Sequence, residues 1–385
     1  MLNFPENSLA FHLEAFLQNA RTHQDQELTL PAQLYLDGGL GSAAQAVQVL
    51  SQLSIDTDQD LSIQVKDEAL ATEPSRRRLA ETLHGMAALY FANSAALSDT
   101  VISRRDLRQT LVPRLLAMRS QNYKTLDQKK SASLCFLMGS KNEFLPSVYS
   151  ASEPRTVRSR SEFLIAFRRM LNSLDPERDE SFLTEGAENY LNTLVHELFL
   201  NADEHGSIDA YGNRLRQGMR GIHMQLTSMV SAPDVARDAG EDNALRFYLA
   251  TLPLHGSFES EDNATLLEMS VFDTGPGMGL SWLSRISDAK TYDDFELEEE
   301  LEAVKTCFKK QATTRSSVVR GQGLPTVLRA LNRLNAFMTV RTGRTSLYQD
   351  FSLVDSDEFH PYQRFSNEEL PLISGTSFTI WFRIK

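Results

Sequence analysis

The chain has 385 residues, enough for two domains with separate cores. Its 39 Lys and Arg face 51 Asp and Glu, a net charge of −12 with no long basic run, which argues against a general binder of nucleic acid or anionic membrane. No window reaches the ~18 unbroken apolar residues of a membrane span, and the start, Met1 to Asn7, lacks a basic leader and an apolar core. Cys135 and Cys307 stand far apart without metal-ligand spacing and read as free thiols. A soluble, cytoplasmic protein is expected.

Residues 1–150 read as a small α/β domain, regulatory or partner-binding. An amphipathic helix over 8–20 precedes a strand over 28–36, a glycine turn (Asp37-Gly38-Gly39-Leu40-Gly41-Ser42) and a helix over 43–53. A strand over 61–65, helical stretches over 76–98 and 106–120, and a buried strand over 134–138 follow. The glycine turn matches neither G-x-G-x-x-G nor a P-loop, so a tight structural turn is the better reading. The order is compatible with small regulatory modules that accompany anti-sigma-type kinases, by analogy of fold alone. Residues 151–180 read as linker and helix: 146–161 has few apolar residues, and 162–174 is helical. Arg155, Arg158, Arg160, Arg168 and Arg169 read as a solvated surface.

From Phe182 to Ala202, apolar residues recur at the three-and-four spacing of one buried helix face. Beside them runs a polar row at intervals of four: Asn189, Thr193, Glu197, Asn201 and His205. Glu197 and Asn201 therefore neighbour each other, a carboxylate beside an amide carbonyl suited to a hard cation and a polarised water. Taken alone, such a row more often marks a solvated helix flank. An apolar strand over 266–272 then runs into Asp273-Thr274-Gly275-Pro276-Gly277-Met278-Gly279. Arg320-Gly321-Gln322-Gly323-Leu324 stands before a helix over 325–334, and Gly375-Thr376-Ser377-Phe378 opens a terminal strand.

These four segments, in this order over 181–385, resemble the GHKL ATPases, the superfamily of gyrase, the large heat-shock chaperone, sensor histidine kinases and mismatch-repair ATPases. The N box reads E-x-x-x-N from Glu197 to Asn201, the first glycine box D-x-G-x-G, the second G-x-G-L, and the last strand G-T-x-F. The resemblance implies an α+β fold: a Bergerat-type sandwich with helices on one face of a mixed sheet, after the small α/β domain. It implies ATP and Mg²⁺ as ligands. Asn201 would hold the metal, and Glu197 would orient or deprotonate the attacking water. Asp273 would accept from the adenine amino group, with Gly275, Gly277 and Met278 against the base. Arg320, Gly321, Gln322, Gly323 and Leu324 would meet the phosphates at a helix start, and Thr376 would join the network around Asp273. His205 reads as a helix-end cap and His196 as a packing or orienting residue. A mobile lid is expected over 279–320, with Lys309, Lys310, Arg315 and Arg320 as phosphate contacts.

Insertions over 211–264 and 355–370 depart from the simplest members, the first expected to cover the cleft or form a partner surface. The acidic run 293–302 reads as a helix with a solvated face. His84 sits in a helix without a following acid, against an autophosphorylating kinase. With no following domain to supply a Lys or Arg, slow turnover is the natural inference. The expected function is a Mg-ATP-dependent conformational switch acting on a partner protein, and homodimerisation is left open. The alternatives are a serine/threonine kinase of the anti-sigma type and a nucleotide-binding module without turnover.

Overall fold

The computed structural model describes residues 2–384 apart from 7–8, 23–26, 32–39, 59, 66–71, 98–99, 127–129, 177–182, 230–231, 253–263, 310–322, 354–355 and 366–368. Among the described residues the strands form two sheets. The first has β1 (Leu2–Asn3), β2 (Glu27–Leu30), β3 (Ser62–Val65), β4 (Ser94–Leu97) and β5 (Thr100–Ser103) side by side in that order. β1 to β4 are parallel and β5 returns antiparallel. Parallel neighbours need crossovers, supplied by α1 (Ala10–Thr22), α2 (Ser42–Asp56), and the pair α3 (Glu73–Ala80) and α4 (Leu83–Phe91).

The helix expected over 76–98 is thus two helices and a strand. Thr82 is extended, and its hydroxyl accepts the Gly85 N–H, which ends one helix and caps the next. The stretch 106–120 likewise divides into α5 (Arg104–Thr110) and α6 (Val112–Arg119), where Pro113 falls in a first turn that needs no N–H from it.

The larger sheet includes β6 (Lys130–Leu137), β7 (Met219–Met229), β8 (Ala264–Asp273), β9 (Phe337–Gly343), β10 (Thr345–Asp350), β11 (Tyr362–Gln363) and β12 (Ile373–Ile384). Its spatial order is β11-β10-β9-β12-β8-β7-β6, and every neighbouring pair is antiparallel. The fold is α+β, as expected; the mixed sheet is the smaller one. Because β6 pairs with β7 along its whole length, the larger sheet begins well before residue 150. Nor is 146–161 a free linker: Val148 and Tyr149 are buried, and Tyr149 bridges Val157.

The remaining helices are α7 (Arg160–Leu174), α8 (Glu185–His205), α9 (Ala232–Ala239), α10 (Asn243–Thr251), α11 (Met278–Ile286), α12 (Leu297–Cys307) and α13 (Gly323–Leu334). One sheet face carries Ile222, Met224, Leu226, Leu267, Met269, Val271, Val340, Phe378, Ile380 and Phe382, and packs on α7, α8 and α13. Burying each such side chain stabilises by roughly 1.5–3 kcal/mol. Helices also cover the opposite face. There Trp381 packs with Tyr248 and Leu249 of α10 and against Gly41 at the start of α2. The described part of the 211–264 insertion supplies an interior strand, β7, and through α10 a cover for the far side of the sheet. The 355–370 insertion contributes edge strand β11, and Phe359 stacks on Phe308 at the end of α12, ring centroids 3.8 Å apart.

Much of the expected lid is likewise built into the fold. α11 and α12 pack on each other, and α11 also meets β9. Glu300 of the acidic helix is fully buried rather than solvated, accepting from the Arg344 backbone N–H at 3.0 Å and its Nε at 2.9 Å. Burial pushes the Glu300 carboxyl up while Arg344 pulls it down.

Candidate functional site

Helix α8 starts where Thr184 accepts the Ala187 N–H, carries Glu185 and Glu188 in its first turn, and ends at Gly206. Leu191, Leu194, Val195, Leu198, Phe199 and Ala202 face the core, which fixes the rotation of the polar row. Glu197 keeps a quarter of its side chain exposed. Asn201 lies one turn further on, and its Nδ2 is buried with no hydrogen-bond partner among the described residues.

His196 is buried, with its ring edge toward Phe163 and Nε2 donating to the Arg158 carbonyl at 3.0 Å. A carbonyl only accepts, so the proton sits on Nε2 and Nδ1 faces Glu197 Oε1 at 3.5 Å. His205 Nδ1 accepts from Arg285 of α11 at 3.1 Å, so its ring turns toward α11.

β8 delivers Asp273 into the interior. One oxygen accepts the Gly275 N–H at 2.9 Å, and the Thr376 N–H also donates to the carboxylate. Burial pushes the carboxyl up to about 7 against these donors and the charge of Arg220. The end of α8 lies directly on this group: a Cβ on Gly206 would collide with Asp273 Cβ and lie 2.9 Å from Cγ. A Cβ on Gly275 would lie 2.7 Å from Gly206 Cα. Gly375, at φ +75°, has room for no side chain beside the Asp273 carbonyl, and its N–H donates to Gly275 O at 2.6 Å.

Thr342 of β9 ties the rest together. Its Oγ1 accepts the Met278 N–H at 2.8 Å and lies 3.0 Å from Thr376 Oγ1. Gly277 has φ +89°, and a Cβ there would lie 3.1 Å from Thr342 Oγ1. At the other end, Gly323 opens α13 two residues before the expected start, and a Cβ on it would lie 3.0 Å from Glu197 Oε2. Leu324 beside it is buried in the core. Among the candidate residues, Asp273 and Gly275 lie at the end of α8, Thr376, Gly277 and Met278 connect to them through Thr342, and Gly323 lies at Glu197. Arg320, Gly321 and Gln322 lie outside the described residues, as do Lys310, Arg315, Gly38 and Gly39. Gly41 donates its N–H to Glu268 Oε2 at 2.8 Å, so a carboxylate faces this glycine turn, in keeping with a structural role.

Three further residues hold the site and carried no motif. Arg220, opposite Asp273 across the β7–β8 ladder, is buried and pairs with Asp203 of α8 at 2.9 Å. Its Nε donates to the Tyr149 hydroxyl at 3.1 Å, and that hydroxyl donates to Asp203 at 2.5 Å. A buried guanidinium needs such partners. The alternation of β7, with Arg220 among Ile222, Met224 and Leu226, is the one signal that places it inward.

The chain is therefore an α+β protein in which glycine-mediated close approaches meet a buried aspartate, Asp273, and a glutamate one quarter exposed, Glu197. No family model matches it, and comparison with curated proteins and with solved structures gives no match. No described helix is long and apolar enough to cross a membrane.

Proposed function

We propose that this chain binds Mg-ATP around the end of α8 and hydrolyses it slowly, as a GHKL-type conformational switch acting on a partner protein. What carries the reading is the approach of the motif segments to one another, with glycine at each contact: Gly323 at Glu197, and Gly206, Gly275 and Gly375 at Asp273. A Cβ at these positions would meet protein atoms, so glycine lets the segments close on the two carboxylates.

The residues fit the ligands. Asn201 has a buried amide nitrogen without a partner among the described residues, and an amide carbonyl such as its own suits a hard cation that needs few protein ligands. Asp273, held by two backbone N–H groups, has acceptor capacity left for an exocyclic amino group. Glu197 is exposed enough to reach water and would orient it or take its proton. Bound Mg-ATP would supply the γ-phosphoryl group for transfer. The reading places the chain in the cytoplasm, which suits the free thiols Cys135 and Cys307.

Incubation with γ-labelled ATP and Mg²⁺ tests the proposal. Slow release of inorganic phosphate, lost in Asn201→Ala, is the expected result. Label on a partner serine would favour the anti-sigma-type kinase instead, and bound nucleotide that never turns over would favour the module without turnover. Neither bound nucleotide nor released phosphate would remove the reading.

A further inference from the structure

The two faces of the larger sheet differ in kind. Where the α7–α8–α13 side is apolar, the opposite side carries Ser133, His223, Gln225, Glu268, Ser270 and Thr379, all essentially buried. Buried polar side chains at this density are the informative case, because each needs a partner. Ser133 pairs with His223, Gln225 with Glu268 and Ser270 with Thr379 within the sheet, and the first half of the chain covers this face and adds the Gly41 N–H to Glu268. Helix α2 is buried along most of its length and places Gln45 and Gln48 one turn apart.

This contact has two ends. At one, Glu268 Oε2 accepts from Gly41 N at 2.8 Å and Trp381 Nε1 at 2.9 Å. At the other, Glu14 of α1 grips Arg341 of β9 with both oxygens, at 2.6 and 2.9 Å, and Gln45 Nε2 donates to Glu14 at 2.6 Å. Both partners are nearly inaccessible, with 4% and 6% of their side chains exposed. Arg341 in turn donates to Gly343 O at 2.7 Å, Thr345 O at 3.2 Å and Pro371 O at 2.6 Å. Gln48 Nε2 donates to Arg341 O at 3.3 Å and Ser374 O at 3.1 Å. Every one of those carbonyls lies within five residues of Thr342 or Thr376 along the chain, and Thr342 and Thr376 meet at the Asp273 end of the site.

We propose that Glu14 and Gln48 are positioning residues for nucleotide: the first half of the chain braces the β9–β10 turn and the entry to β12, setting Thr342 and Thr376 against Asp273. This rests on the ATP reading above and names how that site is regulated. A contact made of ion pairs and glutamine amides is also adjustable. Gln48 Oε1, Gln225 Oε1 and Ser374 Oγ are buried without partners among the described residues, so docking carries a desolvation cost that an apolar seam lacks. Loosening the brace moves Thr342 and Thr376 without touching Glu197 or Asn201. By reciprocity, ATP binding tightens the brace.

Calorimetric titration of Mg-ATP into the full chain, wild type against Glu14→Gln and Gln48→Leu, tests this together with hydrogen exchange over 341–345 and 373–377. The expected result is a Kd raised about tenfold or more, faster exchange in those two segments, and kcat at saturating ATP within about threefold of wild type. ATP added to wild type slows exchange over 42–52. If Glu14→Gln does not fold, Gln48→Leu decides, because it strands no charge. Folded variants with wild-type Kd and wild-type exchange overturn the brace and leave the ATP reading standing. A wild type that binds no ATP overturns the ATP reading, and this inference with it.

Discussion

Gly206 and Asp273 touch so closely that a methyl group on the glycine would collide with the aspartate Cβ. The contact joins the end of α8 to the end of β8, and it is steric alone: Gly206 has φ −78°, which any residue adopts. Gly206→Ala is therefore expected to cost about 1–3 kcal/mol by overpacking and to weaken nucleotide binding. A thermal melt and an ATP titration of the variant check both, and wild-type values in each would show the approach to be slack.

Asp273 carries a pH signature. Its carboxyl rises from 3.8 to about 7 on folding, so the folded state holds the proton more tightly. That contribution is full below 3.8 and is lost as pH climbs through about 7. The move is worth about 4 kcal/mol. Asp273→Asn removes the titration, so the variant's melting temperature should gain on wild type between pH 5 and pH 8. The variant should also discriminate less between ATP and GTP. A melting difference that stays flat with pH would contradict the buried-carboxylate account.

Glu197 keeps a quarter of its side chain exposed and glutamine preserves its shape, so Glu197→Gln should leave the fold intact. ATP affinity within about threefold of wild type and phosphate release slowed by about 10²-fold or more are expected. Binding and single-turnover measurements on the same preparation check the split.

Glu300 and Arg344 hold α12 to the β9–β10 turn. Removing one partner strands a buried charge, and Glu300→Ala is expected to cost about 3–5 kcal/mol in urea unfolding. The double variant Glu300→Leu/Arg344→Leu should recover part of that loss. A single variant as stable as wild type would mean that the pair is solvated.

Helix α8 was legible because one face is unbroken apolar spacing and the other a row of polar residues at fours, so period and role agree. The glycine motifs were legible for a related reason: each marks a backbone approach that a side chain would block. Glu300 was not, because its neighbours Glu298, Glu299 and Glu302 read as solvated and its partner Arg344 lies 44 positions away. The far face of the larger sheet failed for the same kind of reason. Ser270, His223 and Thr379 alternate with apolar residues as a water-facing row does, and α2, far upstream in the chain, packs against β12 and β8 on that face. The breaks at Thr82 and Pro113 were readable as a cap and a helix-start proline, but continuous apolar content masked them.

Mg-ATP binding to wild type and to Asn201→Ala, measured by calorimetry under identical conditions, bears most directly on the proposed site. Saturable binding at one site per chain, weakened about tenfold or more in Asn201→Ala, is expected. Equal binding by both proteins, or none by wild type, would contradict it.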